Sequence, residues 1–302
     1  MNFYHCFYGN EDFYGNDSLY KNDSSDLVGG SKIQGAIVAL THIDSNQNGK
    51  VADNYRSAFP RVEIDSAVEK YSPIPLTTYV QLRSAENSVS VSSLTVAGST
   101  IKFCGIGALA AAQYCFTLQL NLQKHDRPIA FQSNALGYHQ RPLASWSAVW
   151  KSDRAHLRFP RMKCRTVEDI PTRVFAEQNF AAIRQAFCGD ERGYWVIELA
   201  DDQCVQDFVL DAKKLCHFTR RALIVTAVTR QSNIYVMRYF APQYDVPEDA
   251  ATGSANVVLA DYWHQRLNLS KFIARQLSFS GAIMEVEVEA EHVLISGRCR
   301  KL

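Results

Sequence analysis

The 302-residue sequence predicts an α+β chain built from two similar halves. Three observations carry that expectation. The length exceeds what one hydrophobic core usually serves, which favours two domains. Strand-like segments recur in both halves, several with the period-two alternation of antiparallel neighbours. Each half also holds one apolar helix that starts at small residues, Cys104-Gly105-Ile106-Gly107 in the first and Thr252-Gly253-Ser254-Ala255 in the second.

In chain order, Met1 to Phe7 reads as an aromatic-rich strand, and residues 17–31, dominated by Asp, Ser, Asn and Gly, as an exposed loop. Gly29-Gly30-Ser31-Lys32 lacks the Gly-x-x-x-x-Gly-Lys spacing of a phosphate loop, so no nucleotide site is expected there. Gly35 to Leu40 is a strand, and Val62 to Tyr71 has helical spacing and stops at Pro73. Thr77 to Leu82 and Val89 to Leu94 alternate like neighbouring strands, and the Ala-rich helix after Cys104 reaches about Leu120. In the second half, Arg127 to Leu143 and Trp146 to Phe159 hold strand-like segments. Asn179 to Phe187 reads as a helix, Tyr194 to Leu199 as a strand, and Val205 to Leu215 as a short helix. Leu223 to Val228 and Ile234 to Phe240 are strands, followed by the apolar helix from Gly253. Ala282 to Glu289 alternates as a half-exposed strand, and Val293 to Ile295 is expected to be the last. No Pro/Gly-rich linker marks a boundary. It is placed so that residues 1–130 form one domain and 131–302 the other, with the last strand expected to return to the first domain.

Composition excludes several function classes. The formal charge is +1, so no basic field attracts nucleic acid or an anionic membrane. No apolar run reaches membrane-spanning length, and Met1 to His5 lacks the basic and apolar regions of a signal peptide. The eight cysteines show no Cys-x-x-Cys pair and no zinc spacing, so no metal site is expected, and free thiols in a reducing cytoplasm are. His139, His156 and His264 match no motif and are expected at the surface or in the core.

The chemistry centres on Glu248-Asp249-Ala250-Ala251-Thr252-Gly253-Ser254-Ala255. A helix that starts with Gly and Ser presents unpaired N–H groups and the positive end of its dipole, which suits an anion, and Asp249 stands beside it. If the two halves face each other, both helix starts enter one cleft. That cleft could hold a carboxylate while a flanking side chain moves a proton. Glu248 reads as a residue that orders the loop.

These residues resemble the PhzF-like phenazine biosynthesis protein family, within the diaminopimelate epimerase-like fold. Glu248 to Ala255 is similar to the family's Glu-Asp-Pro-Ala-Thr-Gly-Ser-Ala, with Ala250 in place of proline. Arg238-Tyr239-Phe240-Ala241-Pro242, Leu259 to Trp263, Gln276-Leu277-Ser278 and Leu157-Arg158-Phe159-Pro160 also fit. Phe13-Tyr14-Gly15-Asn16 resembles the family's early Gly-Asn-Pro segment, which makes residues 17–34 an insertion. The resemblance implies two α+β domains, each a mixed barrel-like sheet around a central helix, with the site between them. It also implies a homodimer and no cofactor. Asp249 and Cys104 become candidate proton carriers, and Gly105, Gly107, Thr252, Gly253 and Ser254 candidate contacts for a small carboxylate-containing metabolite. In the epimerase branch a thiolate acts as base, and a helix N-terminus lowers a thiol pKa, which favours Cys104. Thr252, though, stands where a second thiol would be. The family glutamate and histidine are replaced by Leu76 and Ile106, which carry no proton, so the phenazine isomerisation itself is not expected. Two function classes remain: a cofactor-independent isomerase or epimerase, and a non-catalytic relative that binds a small carboxylate or serves as a partner subunit.

Overall fold

The helix that starts at Gly105 has no polar face to offer solvent, and the fold buries it on nearly all sides. Its residues Gly105 to Ala112, Tyr114 and Cys115 are all buried. The computed structural model describes residues 2–6, 36–43, 76–83, 88–95, 100–101, 104–117, 128–133, 145–167, 184–244, 246–279 and 281–301. The readings of 13–16, 17–34 and 62–71, and the helix end near Leu120, lie outside these residues.

Within them the first half contributes β1 (Asn2–Cys6), β2 (Ala36–Ile43), β3 (Leu76–Arg83), β4 (Ser88–Thr95) and β5 (Thr100–Ile101). Helix α1 (Gly105–Thr117) follows, then β6 (Ile129–Ser133), β7 (Ser145–Lys151), β8 (Arg154–Pro160), β9 (Cys164–Val167), β10 (Arg184–Cys188) and β11 (Tyr194–Glu198). Two short helices, α2 (Asp202–Gln206) and α3 (Ala212–Phe218), precede β12 (Ala222–Val228) and β13 (Ile234–Phe240). The chain continues with α4 (Gly253–Leu267), β14 (Lys271–Gln276), β15 (Ala282–Val288), β16 (His292–Ser296) and β17 (Cys299–Lys301).

Hydrogen bonds join all these strands into one mixed sheet. The pairs β2–β3, β4–β6, β11–β12 and β13–β14 are parallel, and the other pairs between named strands are antiparallel. Strands far apart in sequence are joined through β8, which pairs with both β7 and β16, and through β17, which pairs with β1. Side chains on one sheet face, among them Leu157, Met284, Val286, Val293 and Ile295, join Leu109 of α1 and Val258, Leu259 and Trp263 of α4 in a single apolar cluster. A second cluster covers the opposite face of β11 to β13, where Val205, Phe208 and Leu215 pack on Trp195, Leu223 and Phe240. The fold is α+β, with the two long helices packed against a mixed sheet.

Polar anchors fix α4 in this apolar setting. Tyr262 donates to Glu198 at 2.6 Å, and Arg266 forks onto the same carboxylate at 2.9 and 3.0 Å. Asp261 accepts from Arg161 Nε at 2.9 Å and from the Cys164 amide at 3.1 Å. The helix ends on Asn268 in the left-handed region (φ 54°), whose N–H closes on His264 O.

Several expectations are corrected. The helix expected over Asn179 to Phe187 is strand β10 from Arg184, because that segment is hydrogen-bonded between β9 and β11 and ladder pairing overrides a weak local preference. The single helix expected over Val205 to Leu215 is two, each with an aspartate cap: Asp201 accepts from Cys204 N and Asp211 from Lys214 N. Val293 to Ile295 is not the last strand, since β17 follows. Free thiols are not the whole account, because Cys164 and Cys188 form a disulfide. Antiparallel pairing sets these two directly opposite each other, 4.5 Å apart at Cα, across a sequence separation of 24 that carries no motif. Among the described residues no helix is long and apolar enough to cross a membrane.

Glu198→Ala would leave Tyr262 and the Arg266 charge without their shared acceptor. The expected loss is about 1–3 kcal/mol of folding stability, read from the urea midpoint. A loss within experimental error would show that this anchor does not hold α4.

Candidate functional site

The segment between β13 and α4 is braced from both sides. Ala241 bridges to Val246, and the Asp249 amide bonds Tyr239 O at 3.1 Å. Glu248 receives a fork from Arg238 at 2.7 and 2.9 Å, while the same guanidinium donates to Phe208 O at 2.6 Å. Glu248 is therefore tied into the scaffold, as expected of a loop-ordering residue. Gln276 on β14 clamps the other side. Its amide donates to Asp249 O at 2.5 Å and its Oε1 accepts from the Thr252 amide at 2.7 Å. Ser278 Oγ donates to Ala250 O at 2.6 Å. These bonds hold the backbone of Ala250 and Thr252 in one path.

At the start of α4 the Thr252 hydroxyl donates to Asp249 Oδ2 at 2.6 Å and makes no cap to the helix. The first-turn amides of α4 are thus left without the usual side-chain cap, beside a carboxyl group. The start of α1 meets this point directly. A methyl group added at Gly105 would stand 2.9 Å from both Gly253 Cα and Gly253 N, and one added at Gly253 would stand 3.2 Å from Gly105 Cα. Only glycine lets the two helix starts come so close.

Cys104 and Asp249 flank this junction, both half-buried. Burial pushes the Cys104 thiol up to about 12; the Gly107 and Ile106 amides pull it down, and the nearby Asp249 carboxylate adds to the rise. This reverses the expected lowering by a helix N-terminus: desolvation outweighs the amides. Burial likewise raises the Asp249 pKa, against the bonds from Thr252, Ala250 and Ala251. The junction therefore pairs a neutral thiol with a carboxyl whose pKa is shifted towards neutrality.

Other predicted residues fall into place unevenly. Gly107 and Ile106 are buried in α1, and Ile106, at 3% exposure, belongs to the core. Leu76 opens β3, opposite Val38 and Thr95. Two tyrosines that were not candidate site residues also reach the junction. Tyr194 shares a hydrogen bond with the Ser254 side chain, and Tyr239, its ring centre 6.4 Å from that of Tyr194, feels the Asp249 charge. Burial raises both phenol pKa values, so both stay protonated. Tyr194 sits in an ordinary strand, and Tyr239 lies in the Arg238 to Pro242 segment that resembles the family, which did not single it out. Among the described residues no cluster of His, Cys, Asp and Glu could hold a metal.

A family model for phenazine biosynthesis-like proteins (PhzC-PhzF) matches residues 74–300. The chain belongs to this family. Among relatives of this phenazine biosynthesis-like protein, an uncharacterized isomerase of Vibrio cholerae is 44% identical over 98 residues, 32% of this chain and 35% of the relative. That alignment spans about a third of the relative's length. An uncharacterized isomerase of Halalkalibacterium halodurans is 24% identical over 199 residues, 66% of this chain and 70% of the relative. A PhzF-family crystal structure from Enterococcus faecalis has a TM-score of 0.67 at 20% identity, covering 100% of this chain and 96% of that one. The fold is thus diaminopimelate epimerase-like, as the family resemblance implied.

Two outcomes test the junction. Gly→Ala inside a helix ordinarily stabilises by about 0.5–1 kcal/mol, whereas Gly105→Ala here forces backbone apart and should cost about 1–3 kcal/mol in chemical denaturation. A stabilised variant would show that the helix starts do not touch. Asp249, with its folded pKa raised, contributes stability below its unfolded value of about 3.8 and loses it as pH rises through the folded value. The stability of Asp249→Asn relative to the parent should therefore climb with pH above about 3.8, measured by melting across a pH series. A flat difference would show that the carboxyl is not desolvated.

Proposed function

We propose that this phenazine biosynthesis-like protein is an isomerase that moves a proton on the carbon next to a carboxylate of a small metabolite. The observation that carries the reading is the Gly105–Gly253 contact, which sets a half-buried acid and a neutral thiol beside two helix starts. Naming of its relatives as isomerases supports the reaction class.

In this reading the substrate carboxylate accepts from first-turn amides at Gly253 and Ser254, with Gly105, Gly107 and Thr252 shaping the pocket. The Asp249 carboxylate takes the proton from the adjacent carbon, and the C–H electron pair moves onto the substrate carboxyl group. The amides stabilise the charge that develops there. A raised pKa makes Asp249 a stronger base for carbon and lets it return the proton to a neighbouring carbon. Cys104, held as the thiol, stands as a hydrogen-bond donor beside the reacting carbon and not as base, so the one proton taken by Asp249 is the one it returns. Phenols of Tyr194 and Tyr239 close the acid side. The reading uses no cofactor, metal, nucleic acid or membrane, and takes the protein as a cytoplasmic homodimer with a domain division near residue 130.

Burial of Ile106 in the core, where the family carries histidine, favours a second reading. The same junction would then bind a small carboxylate without turning it over.

Solvent deuterium exchange at the α-carbon of a panel of amino and hydroxy acids separates the two. The enzyme reading expects exchange that falls by about 10²–10⁴-fold in Asp249→Asn. Absence of exchange with every acid that raises the melting temperature would leave only the binding reading.

A further inference from the structure

Five tyrosines lie between residues 184 and 301, and four of them have a partner for the hydroxyl. Tyr235 donates to Asn256 at 2.7 Å, Tyr262 to Glu198 at 2.6 Å, and Tyr244 to the Arg220 carbonyl at 3.0 Å. Tyr194 shares a hydrogen bond with the Ser254 side chain. Tyr239 is the exception. It is half-buried, yet its hydroxyl makes no hydrogen bond among the described residues. A tyrosine hydroxyl drawn into the protein ordinarily finds a partner. Unlike the Ser296 hydroxyl, this one is not sealed in the interior, so a ligand can reach it.

The place of this spare donor is set by its strand. Alternation along β13 turns Tyr239 towards the two long helices, with Met237, while Phe240 packs on the opposite face. The Tyr239 carbonyl holds the Asp249 amide at 3.1 Å, and its ring centre lies 6.4 Å from that of Tyr194. The phenol is close enough to feel the charge of Asp249, and burial holds it protonated, so its O–H remains a donor at neutral pH. The junction thus has one phenol committed to Ser254 and a second, beside the acid, with nothing to bond.

We infer that Tyr239 is a specificity-determining residue whose hydroxyl donates to an oxygen on the carbon next to the substrate carboxylate, which makes the substrate a 2-hydroxy acid. This rests on the reading of the Gly105–Gly253 junction as a carboxylate seat with Asp249 as base. With the carboxylate on the first-turn amides of α4 and Asp249 at the adjacent carbon, a donor beside Asp249 meets a substituent of that same carbon. Charge argues against an ammonium in that position. Two helix starts present their positive ends to it. Glu248 is already engaged by Arg238, and the Cys104 thiol is neutral. An ammonium paired with Asp249 would hold that carboxylate ionised and weaken it as a base. A neutral hydroxyl leaves Asp249 free and gives the Tyr239 O–H its missing acceptor.

Titration of the full chain with propionate, each enantiomer of lactate, and alanine, followed by amide NMR at Gly253 and Ser254, tests this. The better-bound lactate is expected to bind about 3- to 10-fold tighter than propionate, the worth of one hydrogen bond, and alanine weaker than that lactate. Tyr239→Phe keeps the ring against Tyr194 and should melt as the parent does. It is expected to erase the lactate preference and leave propionate affinity unchanged, a split that a merely structural role would not produce. Equal binding of lactate and propionate by the parent, or a preference that survives in Tyr239→Phe, overturns the role of Tyr239 and leaves the carboxylate seat standing. Alanine binding more tightly than both lactates overturns the substrate class. Absence of saturable shifts at Gly253 and Ser254 with every acid refutes the seat itself, and the inference with it.

Discussion

Two glycines in backbone contact set the terms for everything around them. Helices α1 and α4 are both apolar, both buried, and both begin at a residue without a side chain, and at Gly105 and Gly253 those beginnings touch. Two positive dipole ends so close repel each other unless something negative lies beside them. The structure supplies a carboxyl group, Asp249, at that point. In the proposed reading a bound carboxylate completes that compensation. The close contact also explains why the chain spends so many bonds on a short segment. Gln276, Ser278, Arg238 and the Tyr239 carbonyl all hold the path from Glu248 to Thr252.

The electrostatic character of the junction comes from burial. Desolvation is the leading cause of the shift at both Cys104 and Asp249, ahead of the amide bonds that oppose it. Burial therefore disfavours a thiolate at Cys104, although position alone would favour one. Asp249 gains in basicity what it loses in solvation. Glu248 is held by a fork from Arg238 and acts as part of the frame.

The sequence showed the two helices and most of the strands, because apolar runs and clean alternation are local signals. Ala282 to Glu289 and Ile234 to Phe240 were legible for that reason. β10 was not, since Arg184 to Cys188 becomes a strand only by lying between β9 and β11. Nor was the Cys164–Cys188 bond, which depends on register across that same pair. In the site, Asp249 and the two glycine starts were visible in the motif. Tyr194 was not, and Tyr239, though inside the Arg238 to Pro242 segment, was not singled out, as a tyrosine in a strand looks the same whether it faces core or solvent. The sign of the Cys104 shift was also hidden, because no sequence pattern reports how deeply a thiol is desolvated.

Whether the paired helix starts form an anion seat is decided most directly by a crystal structure of the chain grown with sulfate or a small carboxylate. The contact between Gly105 and Gly253 predicts density for the anion at the first-turn amides of α4, with Asp249 beside it. Glycines well separated, or an anion found only at other surfaces, would contradict it.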